Sequence, residues 1–217
     1  MAPRLILASG SPRRRELLED AGYIFEVVSP AVVEASNNWL TLREITVLNA
    51  TRKAAAVART YCDATILAAD TLVAVRGEII GKPDNVAHAA EILRQLSGRA
   101  HEVCSAVSIW SAGWWRASFH VVSRVQFRAL SAQQIADYIA KVNPLDKAGA
   151  YAAQGYGAEI IERIEGSYTN VIGLPMEETM RTLAALAIYP KGNQSVAATS
   201  VSRARYGSRP LSRRNTR

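Results

Sequence analysis

The sequence predicts an α/β protein whose core is a mixed sheet flanked by helices. Short apolar runs alternate with amphipathic helical segments over the first half of the chain, the pattern of a partly parallel sheet. Two long β-type runs follow, Glu102 to Trp110 and Trp115 to Arg128, joined by Ser111-Ala112-Gly113. They read as a hairpin, which adds antiparallel strands. The 217 residues are 49% hydrophobic and 21% charged, enough to bury one sizeable core, and no linker divides them.

The elements follow in order. Arg4 to Ala8 is a short apolar run that fits a buried strand. A helix starts after it, with Ser11 at the N-cap, Pro12 at the first helical position, Leu17, Leu18 and Ala21 on one face, and Gly22 to end it. Phe25 to Val28 reads as a second strand. Leu42 to Tyr61 is a long Ala-rich amphipathic helix, and Thr65 to Val75 is apolar enough for a central strand. Arg76-Gly77-Glu78 turns the chain into Ile79-Ile80. Asp84 is placed to cap a helix that turns Val86, Ala89, Ala90, Leu93 and Leu96 inward and closes at Gly98. Beyond the hairpin, Ser131 caps a helix carrying Ile135, Tyr138, Ile139 and Val142. Asp146 to Pro175 is glycine-rich and aperiodic, and Met176 to Ile188 is a last helix.

Charge and cysteine content narrow the function classes. From Pro190 onward the chain carries Lys191 and six arginines with no Asp or Glu, which accounts for the whole excess of 26 basic over 19 acidic residues. Residues 1–189 are therefore electrically balanced and form the expected domain. Residues 190–217 are expected to be a disordered basic tail, either a solvated appendage or a weak nucleic-acid contact. No run approaches the roughly 18 apolar residues of a membrane span, and no secretory signal is read at the start. Cys62 and Cys104 stand apart with no Cys-x-x-Cys spacing, which argues against structural zinc and fits the cytoplasm.

Four segments carry chemistry. In Leu7-Ala8-Ser9-Gly10-Ser11-Pro12-Arg13-Arg14-Arg15, a strand ends in small residues and turns into a helix. Unpaired N–H groups and the helix dipole there favour an anion such as phosphate, although neither a Walker loop nor a G-x-G-x-x-G fingerprint is present. Asp70, at the end of an apolar strand, can bind Mg²⁺ or take a proton from water, or else cap a turn. Gly81-Lys82-Pro83 presents a lysine from a tight turn. The stretch Asp146 to Gly157, continued by Ile164 to Pro175, is too long and aperiodic to be only a connection. Its glycines suit a backbone that comes close to a flat ligand.

Taken together these segments resemble the Maf family, nucleotide pyrophosphatases related to the inosine triphosphate pyrophosphatases. The resemblance runs from Leu5 to about Leu186 and rests on five motifs in order. They are Leu7-Ala8-Ser9 with Ser11-Pro12-Arg13-Arg14, Lys53-Ala54, Ala69-Asp70-Thr71, Gly81-Lys82-Pro83, and Lys147-Ala148-Gly149-Ala150-Tyr151 through Leu174-Pro175. It implies an elongated mixed sheet in two lobes around a central nucleotide cleft, and a homodimer. It implies that Ser9, Ser11, Arg13, Lys53 and Lys82 hold a triphosphate. Glu34 and Asp70 would bind Mg²⁺ or Mn²⁺, with Asp70 also activating the attacking water. The family often has an acidic residue just before this glutamate, where Val33 stands here. Lys-Ala-Gly-Ala-Tyr followed by Gln154-Gly155 is associated in the family with dTTP and UTP, and Gln154 would meet the pyrimidine edge. Two alternatives stand beside this: a pyrophosphatase for modified purine or 7-methylguanosine triphosphates, and a non-catalytic nucleotide-binding regulator of cell division.

Overall fold

The computed structural model describes residues 4–35 and 39–191. The basic segment beyond Lys191 lies outside the described residues. A seven-stranded mixed sheet forms the centre, in the order β2-β1-β3-β5-β6-β7, with β4 paired to β3. These strands are β1 (Leu5–Ala8), β2 (Glu26–Val27), β3 (Thr65–Val75), β4 (Glu78–Ile80), β5 (Ala100–Ser111), β6 (Trp114–Phe127) and β7 (Ile161–Glu165). β1 runs parallel to β2 and β3, and every other pairing is antiparallel.

β3 is central because it is apolar on both faces, and strand periodicity sorts its residues between two layers. Ile66 and Ala68, with Ile6 and Ala8 of β1, pack against helix α2 (Leu42–Ala58) through Ala54, Val57 and Ala58. Alanines on that helix face let it approach the sheet closely. On the opposite face Leu67 and Ala69 meet Leu18 of helix α1 (Pro12–Asp20) and Leu183 of α7 (Met176–Ala185). Farther along the same face, Val73 and Val75 join a second cluster with helices α3 (Val86–Leu96) and α4 (Ala132–Lys141). Thr71 lies between the two clusters and is only partly buried. The gap between two cores on one strand is where the cleft opens.

The helix starts show which sequence signals held. Ser131 forms the expected cap as half of a capping box with Gln134. α2 begins in a Thr41–Glu44 capping box and ends at Ala58, short of the expected Tyr61. The cap of α3 is Asn85, whose side chain accepts from the His88 N–H at 2.9 Å. Asp84, expected there, instead meets the His88 ring, and Val86, expected inward, is exposed in the first turn of α3. Ser11 stands at the N-cap of α1 with extended backbone, but its side chain makes no capping hydrogen bond.

The aperiodic stretch is built of pieces too short to show a period. It holds a 3₁₀ turn (Ala148–Ala150), a one-turn helix α5 (Gly157–Ile160), strand β7 and helix α6 (Tyr168–Ile172). β7 was not foreseen. It is an edge strand whose middle faces solvent, so its residues show no apolar alternation.

Candidate active site

A cleft of about 430 Å³ opens beside the end of β1 and the middle of β3. The residues after β1 form one wall, and Glu34, Lys53 and Asp70 form another. Gly81-Lys82, Asp146 to Ala148 and Tyr151 to Ala153 close the far side. Gly149 has φ +72°, and an added Cβ would sit 3.1 Å from Val73 and 3.2 Å from the Tyr151 ring. Only glycine lets that turn lie against β3.

The charge arrangement starts at Lys53 on the inner face of α2. Its ammonium donates to Asp70 Oδ1 at 2.6 Å and to Glu34 Oε1 at 2.7 Å. Asp70 is 3% exposed, so its charge needs this partner. Asn49, one turn before Lys53 on the same face, donates to Asp70 Oδ2 at 3.3 Å. It also holds the Glu34 loop through both backbone groups of Ala35. Burial pushes the Glu34 carboxyl up. The Lys53 ammonium, then Lys82 and Arg14, outweigh it and hold that carboxyl below its usual range.

Opposite lies the N-terminus of α1. Its first intrahelical bond runs from Arg15 N–H to Ser11 O, and Pro12 has no N–H. The N–H groups of Arg13 and Arg14 are thus among the unpaired donors that favour an anion. The three consecutive arginines have separate fates. Arg15 pairs with Glu19 along the surface, and Arg13 reaches Asp146 at 3.2 Å across the cleft. Arg14 turns inward. Burial pushes the Asp146 carboxyl up, but Lys147 and Arg13 hold it below its usual range. Lys82 is exposed at the rim and makes no ion pair among the described residues.

Seven of the eight expected site residues line one cavity: Ser9, Ser11, Arg13, Glu34, Lys53, Asp70 and Lys82. Gln154 is not among its lining residues; the wall ends one position earlier, at Ala153. Arg14, Asp146 and Lys147 entered the sequence reading only as parts of longer segments with no role of their own, and Asn49 did not enter it. Periodicity held a signal for two of them. Arg14 sits four residues before the buried Leu18, and Asn49 four before Lys53.

The donor set suits a cation that arrives with phosphate. Two carboxylates already converge on one positive charge, and Mg²⁺ is held by one or two carboxylates plus substrate phosphates. Among the described residues no three Asp, Glu, His or Cys side chains gather as an all-protein metal cage.

The Maf-like protein family model matches residues 4–186. The chain belongs to this family. A relative from Salmonella typhimurium, named dTTP/UTP pyrophosphatase, is 46% identical over 181 residues, covering 83% of this chain and 91% of its own. Another relative of that name, from Akkermansia muciniphila, is 42% identical over 186 residues, covering 86% and 98%. One from Dictyoglomus thermophilum is 46% identical over 178 residues, covering 81% and 92%. Among solved structures, the Staphylococcus aureus Ham1 protein aligns with 93% of this chain and 98% of its own, at 14% identity and a TM-score of 0.47. Among the described residues no helix is long and apolar enough to cross a membrane.

Proposed function

We propose that the chain hydrolyses nucleoside triphosphates to the monophosphate and pyrophosphate, favouring dTTP and UTP. One observation carries the reaction: a buried carboxylate, Asp70, shares a cleft with an anion-binding helix N-terminus and with Lys53, Lys82 and Arg13. A triphosphate carries about four negative charges near neutrality, and such cations must neutralise it before a nucleophile approaches. The names of relatives 42% to 46% identical support the pyrimidine preference.

Each residue has a role in this reading. Ser9, Ser11, Arg13 and the free N–H groups of α1 bind the phosphate chain, with Lys82 at the rim. Glu34 and Asp70 would hold Mg²⁺ or Mn²⁺, which supplies further charge neutralisation. Asp70 accepts the proton of the water whose oxygen attacks the α-phosphorus, and pyrophosphate leaves as the α–β bridging bond breaks. Asn49 fixes the carboxylate and the Glu34 loop together. A homodimer belongs to the same proposal on the family resemblance alone, and a cytoplasmic location on the two isolated cysteines.

The test is pyrophosphate release from a panel of canonical and modified nucleoside triphosphates with Mg²⁺ or Mn²⁺, comparing wild type with Asp70→Asn. We expect turnover of dTTP and UTP that falls about 10² to 10⁴-fold in the variant. Preference for a modified purine would keep the mechanism and overturn the pyrimidine assignment. Binding without release from any nucleotide would favour the non-catalytic regulator.

A further inference from the structure

Arg14 is a buried arginine, 9% exposed, and no carboxylate lies within ion-pair distance of it among the described residues. Its guanidinium instead donates to three neutral oxygens: Gly173 O at 2.8 Å, Ser9 Oγ at 3.1 Å and Thr71 Oγ1 at 3.0 Å. Burying this charge without a direct ion pair is costly, since Asp70 and Glu34 act on it only from beyond ion-pair distance, and all three acceptors border the cleft. We propose that Arg14 is a positioning residue that orients the Ser9 hydroxyl as a fixed hydrogen-bond donor toward an anionic polyphosphate.

The argument is a count of protons and lone pairs. A serine hydroxyl offers one proton and two acceptor positions. Ser9 Oγ accepts from Arg14 Nη1, and it also accepts from the Ser11 N–H at 3.2 Å. Both lone pairs are occupied, so Ser9 has only its proton to offer, and no acceptor for that proton lies among the described residues. The guanidinium is itself anchored. Ser105 Oγ donates its one proton to Asn170 O at 2.8 Å. Thr71 Oγ1 has two acceptors in reach, Ser105 Oγ at 2.8 Å and Gly173 O at 3.4 Å; with the Ser105 proton on Asn170, Thr71 donates the shorter contact and accepts from Arg14. The guanidinium is thus held by Gly173 O and Thr71 Oγ1 as well as by Ser9, and these two anchors keep the fork facing Ser9. A hydroxyl that must donate favours phosphate oxygens, which only accept at full charge.

The inference rests on the polyphosphate reading of the cleft but not on turnover, so its test uses inorganic tripolyphosphate as the probe. Affinity is measured calorimetrically for wild type, Ser9→Ala, Arg14→Gln and the double variant. A lost hydrogen bond to a charged ligand weakens binding on the order of tenfold. We expect each single variant to show that loss and the double variant to lose little more, because Arg14 acts through Ser9. Losses that multiply would mean that Arg14 contacts the ligand itself or only supports the fold, and would overturn the proposal. A wild type that does not bind tripolyphosphate overturns it as well. Binding with the expected coupling but no nucleotide hydrolysis would refute the proposed activity and keep this inference. Arg14→Gln can fail to fold, so nitrogen-15 NMR of the wild-type guanidinium gives a second reading. Separate, slowly exchanging Nη protons are expected, and a single averaged signal from a rotating group would overturn the proposal.

Discussion

Replacing Lys53 with methionine removes the ammonium and keeps most of the stem, which isolates the charge at the centre of the site. Lys53 is 8% exposed and bridges Asp70 at 2.6 Å and Glu34 at 2.7 Å. Removing one partner of a buried ion pair costs about 3 to 5 kcal/mol, because the other charge is left desolvated and unpaired. The Glu34 side chain is 41% exposed, so water screens its share, and the lower end of that range, about 3 kcal/mol, applies. For a domain of this size that loss lowers the melting temperature by roughly 6 to 12 °C. The assay is calorimetric melting near neutral pH with and without Mn²⁺. In Lys53→Met the metal has no ammonium to displace, and at about a hundred times its dissociation constant it would return about 2.7 kcal/mol. A loss below about 1 kcal/mol would show that water screens this ammonium like a surface pair, refuting the electrostatic reasoning. A full loss that Mn²⁺ does not relieve would refute the carboxylate pair as a cation site.

Two further predictions separate binding from stability. Ser11→Ala should leave the melting temperature nearly unchanged, whereas an N-cap serine normally contributes about 1 kcal/mol, because this side chain makes no capping bond. The same variant should raise KM for nucleotide in a steady-state assay. His101 is 2% exposed, and its Nε2 meets the Tyr151 hydroxyl at 2.8 Å. Burial, only partly offset by the Arg99 backbone, pushes its pKa from 6.5 to about 4. Above pH 6.5 both folded and unfolded states hold it neutral; as the pH falls the unfolded state takes the proton first. Stability is thus lost between those two values, by about 3 kcal/mol. His101→Gln should flatten that part of the profile in urea denaturation near pH 7 and pH 4, and an unchanged difference between the two would refute the assignment.

Local chemistry by itself determined the fold class and much of the site. Apolar runs, caps and turns act within a few residues of one another, so the strands β1 and β3, the hairpin and the Ser131 cap are written where they occur. The family resemblance, carried by motifs that contain Ser9, Ser11, Arg13, Lys53, Asp70 and Lys82, implied one site for these six and for Glu34, and all seven line one cavity. What local chemistry left open is everything that depends on a partner distant in the chain. Asp84 and Asn85 are both good capping residues, and backbone geometry chose Asn85. β7 is a strand because β6 offers it an edge, and its own residues do not announce it.

The arginines show the same division most clearly. Arg13, Arg14 and Arg15 are chemically identical neighbours, but helical geometry sends them in different directions. Their partners are Asp146, then Ser9, Thr71 and Gly173, then Glu19. Asn49 likewise gains its role only when the Ala35 backbone and Asp70 arrive beside it. The sequence determined which groups could bind phosphate. The tertiary structure decided which charge is buried and which hydroxyl is left to donate, because desolvation and lone-pair occupancy depend on atoms that chain order keeps far apart.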